Sequence, residues 1–181
     1  MFKPLYMGTN HMLGIDGYTP VFTNNFEIRI YNMDGSSPTE NSDLLTLSTD
    51  EIGNIAEEQG EIIIHYGNGL IKFPDKVTFP DVNWTLNCYC SPNVLDALRA
   101  WRKQVYDPET ETKGLPSEYG RDVYFIRYDG KGTARDVIKC PGTWIGALDN
   151  GAMTQVGGDV VKVSVPLKIS KVIYLKQEDF A

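Results

Sequence analysis

Few side chains in this sequence of 181 residues are of the types that carry chemistry. It has three cysteines, Cys88, Cys90 and Cys140, and two histidines, His11 and His65. Nucleophilic catalysis needs a nucleophile beside a base, and neither histidine stands near a Gly-x-Ser-x-Gly or similar element. A structural zinc site needs about four ligands, and only the two histidines are there to complete a Cys-x-Cys pair. We therefore expect no enzyme activity and no metal or other cofactor.

Phosphate-binding and paired-carboxylate sites have no specific signal either. No Walker A pattern is present, and no G-x-G-x-x-G follows a predicted strand. A glycosidase needs two neighbouring carboxylates, but 24 acidic residues make some such pair inevitable, so their presence indicates nothing. The odd number of cysteines, without the spacing of a disulfide framework, favours reduced thiols, with Cys88 and Cys90 as small buried side chains.

The net charge of −7 comes from one part of the chain. No Lys or Arg lies between Arg29 and Lys72, and eight of the 24 acids fall there, which leaves 16 acidic and 17 basic residues elsewhere. The acids in this interval are Asp34, Glu40, Asp43, Asp50, Glu51, Glu57, Glu58 and Glu61. Such a run is either a solvated acidic loop or an acidic surface that meets DNA without holding it. A conventional DNA-binding module is disfavoured, since it would carry a basic stripe.

The composition predicts one mainly β domain. Apolar residues make up 41% and aromatic residues 11%, with 17 Gly and ten Pro to form turns. Residues 1–24 show no strand or helix periodicity and are predicted to be an extended arm, followed by a single domain over 25–181. No apolar run approaches the roughly 18 residues that cross a bilayer, and no signal peptide is recognisable, so we expect no membrane anchor.

Alternating apolar and polar residues place the strands. The predicted strands are 25–32, 44–49, 61–66, 70–73, 76–79, 82–90, 122–129, 133–140 and 161–170. Gly67, Asn68 and Gly69 predict a hairpin turn between two of them. Residues 33–43 are predicted to form a turn-rich loop, and residues 50–61 an irregular or briefly helical connection.

One amphipathic helix is predicted among these strands. Ser91 is its expected cap, Pro92 fits its first turn, and Pro108 ends it. Its apolar positions recur at helical spacing and form one stripe, made of Val94, Leu95, Leu98, Trp101 and Val105.

The order of segments between residues 82 and 174 resembles the tail tube proteins of contractile-tailed bacteriophages. The resemblance is carried by the helix with Trp101-Arg102, the Tyr119 loop, the Gly142-Thr143-Trp144 corner, and Asp159 before a long strand. It implies a β sandwich or flattened barrel with one short α-helix, related to the ring-forming tube component of type VI secretion. Pro166 departs from the pattern and suggests an edge or a bulge in the last strand.

The resemblance also implies a structural function. Six copies would form a ring, and rings would stack into a hollow tube that conducts DNA into the host without binding it specifically. The implied partners are further copies of the chain and the tail sheath, baseplate and tape measure proteins. The implied location is the tail of a virion that is assembled in the host bacterial cytoplasm.

Six residues are candidates for particular roles in such a subunit. Asp50, Glu51, Glu57 and Glu58 are candidates for the lumen or an interface, while Trp101 and Trp144 are candidate fold anchors. Two other functions remain open: a ring component of a type VI-like secretion or injection apparatus, and a monomeric β-sandwich module that binds ligands through its tyrosines.

Overall fold

A computed structural model describes residues 23–33, 35, 37–91, 93–129, 132–151 and 158–175. Within them the chain forms eleven strands and three helices. The first half contains β1 (Phe26–Asn32), α1 (Ser42–Ser48), β2 (Thr49–Ile52), β3 (Glu58–Tyr66), β4 (Gly69–Thr78) and β5 (Val82–Asn87). The second half contains α2 (Val94–Val105), β6 (Tyr106–Asp107), β7 (Thr112–Lys113), α3 (Pro116–Tyr119), β8 (Arg121–Tyr128), β9 (Ala134–Ile145), β10 (Lys162–Lys168) and β11 (Ile173–Leu175).

Seven strands form an antiparallel sheet that folds over on itself. The strands run in the order β1-β8-β9-β10-β5-β2, and β11 pairs with β9. The long strand β9 connects two layers, because its first part pairs with β8 and β11 and its last two residues pair with β10. Gly142, near the end of the part that pairs with β8, has a φ of 67°, which other residues rarely adopt. We call β1-β8-β9-β11 the first layer and β2-β5-β10 the second layer. The mainly β, flattened-barrel fold implied by the resemblance is confirmed.

The core lies between the two layers and under α2. Ile28 and Phe125 point inward from the first layer, and Trp84 and Val165 point inward from the second. Each fully buried side chain of this kind stabilises the fold by about 1.5–3 kcal/mol. Helix α2 buries three residues of the predicted stripe, Val94, Leu98 and Trp101, together with Ala97, while Leu95 and Val105 are half-buried. No helix among the described residues is long and apolar enough to cross a membrane.

Residues 44–49 were predicted to be a strand, and this is wrong for all but the last of them. They belong to α1, and β2 begins only at Thr49. The helical spacing brings Ser42 and Thr46 to the free edge of β1, where Ser42 Oγ accepts a hydrogen bond from the Ile30 amide and Thr46 Oγ1 donates one to the Ile28 carbonyl. Leu45 is buried in the core. Helix α1 therefore covers the edge of β1. An uncovered strand edge would expose unpaired N–H and C=O groups and promote aggregation.

The ends of the main helix also differ from the prediction. Asn93, rather than Ser91, caps α2, because its side chain accepts the amide of Leu95 at 3.0 Å. Pro92 lies outside the described residues. The helix ends at Val105, before Pro108, and Tyr106 and Asp107 then pair with β7. Two short helices, α1 and α3, accompany the one that was predicted.

Several strand boundaries were predicted incorrectly. The predicted strands 70–73 and 76–79 form one strand, β4, which ends at Thr78. Pro74 lies beside a register shift of the hairpin, where a missing N–H is tolerated. Strand β5 ends at Asn87, so Cys90 is exposed instead of buried, and Cys88 is half-buried. Residues 141–145 continue β9 instead of forming a separate corner.

Pro166 lies inside the sheet, so the expected position at an edge or bulge is wrong. Strand β10 has β5 on one side and β9 on the other. The Pro166 carbonyl accepts the Gly146 amide on the β9 side, where the ladder holds only Leu167 and Lys168. In an antiparallel strand the N and O of one residue point the same way. The missing N–H of Pro166 therefore faces β9, just before the pairing of Leu167 and Lys168 with that strand begins.

Candidate assembly surface

The most unusual part of the molecule is a hairpin that projects from the second layer. Strands β2 and β5 pair through Ile52 and Trp84, and the Gly53 amide bonds to the Asn83 carbonyl at 2.7 Å. Strands β3 and β4 then continue the same antiparallel pairing, from Glu58 opposite Thr78 to Tyr66 opposite Gly69. The segment from Thr49 to Asn87 is therefore one long ribbon, whose base belongs to the second layer and whose outer part, β3-β4, is the projecting hairpin.

Every residue of the two strands of the projecting hairpin is exposed. The cross-strand pairs Ile62–Phe73 and Ile64–Ile71 lie on the same face, because side chains alternate along a strand. Their exposed fractions are 47% for Ile62, 51% for Ile64, 49% for Ile71 and 47% for Phe73. Together with Tyr66, these four residues are called the apolar face of the hairpin. Contiguous exposed apolar side chains of this kind mark interaction surfaces.

The opposite face of the hairpin is mixed in character. Lys72 Nζ lies 2.8 Å from Glu61 Oε2, and Ile63 and Leu70 are exposed beside this pair. The tip turns through Gly67 and Asn68, with a φ of 58° at Gly67. The predicted hairpin is thus confirmed, with the positive φ at the first of the two turn residues. A two-stranded ribbon alone is marginally stable, so a partner that covers the apolar face would stabilise it.

The structure places two of the four candidate acids on the outer face of the second layer. A register shift in β2 lies between Thr49 and Glu51, so the β-bulge turns both Asp50 and Glu51 outward. Asp50 accepts hydrogen bonds from Lys162 Nζ at 2.7 Å and from Asn87 Nδ2 at 3.1 Å. These bonds lower the pKa of Asp50 and, reciprocally, raise the pKa of Lys162.

The other two candidate acids lie where the ribbon leaves the layer. Glu57 Oε2 accepts a hydrogen bond from Tyr174 Oη at 3.3 Å, and Glu58 begins β3 opposite Thr78. All four acids are exposed or at the surface, and they follow the ribbon instead of forming one cluster. Among the described residues, no group of three or more His, Cys, Asp or Glu could hold a metal ion.

The two candidate fold anchors, Trp101 and Trp144, both contact Tyr119. Trp101 is 6% exposed, and its Nε1 donates a hydrogen bond to the Tyr119 carbonyl at 2.8 Å. Trp144 meets the Tyr119 ring edge-to-face, with 6.1 Å between the ring centroids. Through these contacts Tyr119 of α3 links α2 to the last part of β9.

A groove of about 840 Å³ lies between β1, β2 and β8. Its lining includes the carboxylates of Glu27, Asp50 and Glu51, but its described lining residues include no His or Cys. Partial burial raises the pKa of Glu27, yet hydrogen bonds from Arg29 and Tyr128 outweigh it and leave this pKa lowered. An ionised carboxylate that is already bonded by two neighbours is a poor proton donor.

Sequence reasoning did not single out the apolar face of the hairpin. The run Ile62-Ile63-Ile64 predicts a strand, and three consecutive apolar residues place apolar side chains on both faces of a ribbon. That signal indicates either burial between two layers or burial against a partner. Only the structure shows that no described residue covers these side chains.

Comparison with known proteins establishes the fold. No protein-family model matches the sequence, and no curated protein sequence matches it significantly. A chain of the cryo-EM structure of the anti-feeding prophage cap, a tube-terminating cap, is 11% identical, with a TM-score of 0.66 over 86% of this chain and 91% of that one. A chain of the sheath-tube complex of the PVC extracellular contractile injection system is 12% identical, with a TM-score of 0.60 over 93% and 99%.

The SPP1 tail tube is a third similar structure. It is 13% identical, with a TM-score of 0.50 over 86% of this chain and 78% of that chain. At such low identities these similarities show a shared fold. The chain therefore has the fold of tail tube and injection-system tube proteins, as the resemblance of residues 82–174 predicted.

Proposed function

We propose that this protein is the structural subunit of a tail tube, in which six copies form a ring and rings stack into a hollow tube. The observation that carries the proposal is the projecting hairpin, whose apolar face is covered by no described residue. The shared fold with tube proteins supports the same conclusion.

The energetics favour a second copy as the partner of the hairpin. The apolar face presents five large side chains that are each about half or more exposed. Removing the rest of that surface from water would yield several kcal/mol, at roughly 25 cal/mol per Å² of apolar area. Because every copy carries the same hairpin, a contact between the hairpin of one copy and another part of the next repeats from copy to copy. Heterologous contacts of this kind build rings or filaments.

The remaining roles follow from a tube of this construction. The sheath would surround the tube, the baseplate and tape measure protein would set its start and length, and DNA would pass through its lumen into the host. The particle would be assembled in the bacterial cytoplasm and carry the protein in its tail. The subunit itself is assigned no catalysis.

The division of the chain into an arm and a domain belongs to the same proposal. Residues 1–24 would act as an arm, and residues 25–181 would form the tube domain. The arm is the proposed site of contact between rings. Ordering such a segment on a neighbouring subunit is a common way to couple binding to assembly.

A second candidate function is a tube subunit of an injection apparatus that delivers proteins. It is favoured because two of the similar structures belong to the anti-feeding prophage and to an extracellular contractile injection system. The two functions share the tube and differ in its cargo, so the cargo recovered with purified particles separates them.

Electron microscopy of the purified protein tests the tube proposal. The protein is concentrated and imaged alone and after seeding with disrupted phage tails or baseplates, because tube growth is often templated. Hollow tubes of stacked six-fold rings are the expected result. A protein that stays monomeric in both samples contradicts the proposal and favours the monomeric binding module.

A further inference from the structure

The outer face of the second layer differs in chemistry from its inner face. Along β5 and β10 the inward residues are apolar and buried, whereas the outward residues, apart from Pro166, are polar or charged. The outward residues of these strands are Asn83, Thr85, Asn87, Lys162, Ser164, Pro166 and Lys168. We call them, together with Asp50 and Glu51 of β2, the polar face. Pro166 is its only apolar member.

The side chains of the polar face satisfy one another. Ser164 Oγ donates a hydrogen bond to Asn83 Oδ1 at 2.6 Å, and Asn87 donates to Asp50. Both lysines of the layer have carboxylate partners, because Lys162 pairs with Asp50 and Lys168 pairs with Asp81 in the turn before β5. Both lysines of the face thus already have carboxylate partners within the layer and its adjoining turn.

Two other sheet surfaces of the molecule have the opposite character. The projecting hairpin presents its apolar face, and the outer face of the first layer presents tyrosines. Tyr31 and Tyr124 meet edge-to-face at 5.2 Å, and a groove of about 530 Å³ runs beside them past Ile126, Tyr128 and Leu175. Aromatic and apolar side chains gain most from being covered at an interface, whereas small polar ones gain little.

We infer that the polar face of the second layer lines the bore of the tube, while the hairpin and the first layer meet other proteins. This inference rests on the proposed function. In a tube with a surrounding sheath, the exterior and the contacts between subunits are covered by protein, and the surface of the bore must stay hydrated for cargo to move. Of the three sheet surfaces, only the polar face lacks the side chains that make an interface stable.

The charges of the polar face agree with this assignment. The face itself carries two acids, Asp50 and Glu51, and two lysines, and the neighbouring Asp81 adds one further negative charge. Nucleic acid is held mainly by lysines and arginines that neutralise its phosphates. A strand of DNA that passed this face would meet lysines that are already paired, and it would therefore be conducted without being retained.

Thiol labelling of assembled tubes tests the assignment. Cys88 and Cys90 are changed to Ser, which leaves only the buried Cys140, and Thr85→Cys then places one reactive thiol at the centre of the polar face. A matched control carries Arg29→Cys on the outer face of the first layer, where the side chain is 48% exposed. Each variant is labelled as monomer and as tube, with a small maleimide and with a maleimide coupled to a globular carrier protein too wide to enter the bore.

The expected result is that the thiol of Thr85→Cys reacts with both reagents in the monomer and only with the small one in the tube. The thiol of Arg29→Cys should react with both reagents in sheath-free tubes. Equal labelling of Thr85→Cys tubes by the carrier-coupled reagent would overturn the inference by placing the face outside. Protection from both reagents would overturn it by placing the face in an interface. If microscopy shows no tubes in any sample, the proposed function fails and the inference fails with it.

Discussion

The base and the tip of the long ribbon are built alike and have opposite environments. Both are antiparallel pairs with bulky apolar side chains, and the chain passes through both of them between Thr49 and Asn87. At the base Trp84 and Leu86 are fully buried, whereas at the tip Ile64 and Phe73 are about half exposed. The difference lies in what covers them: the base lies over α2 and the first layer, and no described part of the chain covers the tip. Apolar side chains that their own chain leaves uncovered indicate a surface that binds a partner.

The largest difference between the two regions should appear in the stability of the monomer. Trp84→Ala removes a fully buried indole and should lower the free energy of unfolding by about 3–5 kcal/mol. Phe73→Ala at the tip removes an aromatic ring of the hairpin and should change it by no more than about 0.5 kcal/mol. Urea titrations of both variants give the two values. Equal losses would mean that the tip is packed in the monomer as tightly as the base.

Alkaline pH should destabilise the folded core, in which Cys140 of β9 is buried. Burial raises the pKa of the Cys140 thiol to about 12, from an ordinary value of 9.0. A group whose pKa is raised by folding contributes stability that is complete below the unfolded pKa and is lost as pH rises through the folded one. Between pH 9 and 12 the free energy of unfolding should therefore fall by up to about 1.4 kcal/mol per pH unit.

Chemical denaturation at several pH values measures this fall. Cys140→Ala serves as the control and should lack the Cys140 component of the slope. A thiol count on the native protein adds a second check, because Cys90 is exposed and should react rapidly while Cys140 should stay protected until unfolding. Rapid reaction of all three cysteines would contradict the placement of Cys140 in the core.

A smaller effect is expected where the base is joined to α1. Trp84 Nε1 donates a hydrogen bond to Thr49 Oγ1 at 3.1 Å, and Thr49 stands between α1 and β2. Thr49→Val keeps the shape of the side chain and leaves the indole N–H without its acceptor, which should cost about 1–3 kcal/mol. Thermal unfolding measures the loss, with Thr49→Ser as a control that retains the acceptor. A Val variant as stable as the Ser variant would show that water reaches the indole.

The smallest effect is expected at the ion pair of the tip. Glu61 and Lys72 are both about half exposed, and exposed ion pairs contribute about 0–1 kcal/mol. Lys72→Met should therefore leave the melting temperature of the monomer nearly unchanged at physiological salt. A large loss would mean that the mixed face of the hairpin is more deeply buried than the structure shows.

The local patterns of the sequence predicted the regular parts of the fold. Strand β10 and the helix α2 were found because their apolar residues recur at fixed spacing, and Asn68 beside two glycines located the hairpin turn. Residues 44–48 were misassigned, because a short apolar run does not distinguish a strand from a helix. What decides the helix is the pairing of Ser42 and Thr46 with the edge of β1, which lies far away in sequence.

The candidate site was harder to predict for a related reason. A strand pattern shows which residues avoid water, and it does not show whether the same chain or another copy covers them. The three consecutive isoleucines from 62 to 64 therefore predicted a strand without showing what covers it. The outward positions of both Asp50 and Glu51 depend on a bulge, which no spacing rule predicted.

The central claim is that the apolar face of the hairpin drives assembly, and sedimentation of a hairpin variant tests it most directly. The double variant Ile64→Asp, Phe73→Asp places two charges on this face, and Leu47→Asp is the matched control, because Leu47 is 82% exposed on α1. All proteins are concentrated with the same seeds, and their melting temperatures are checked first. The account predicts that the wild type and Leu47→Asp sediment as tubes, while the double variant melts normally and stays monomeric. Tubes formed by the double variant as readily as by the wild type would contradict it.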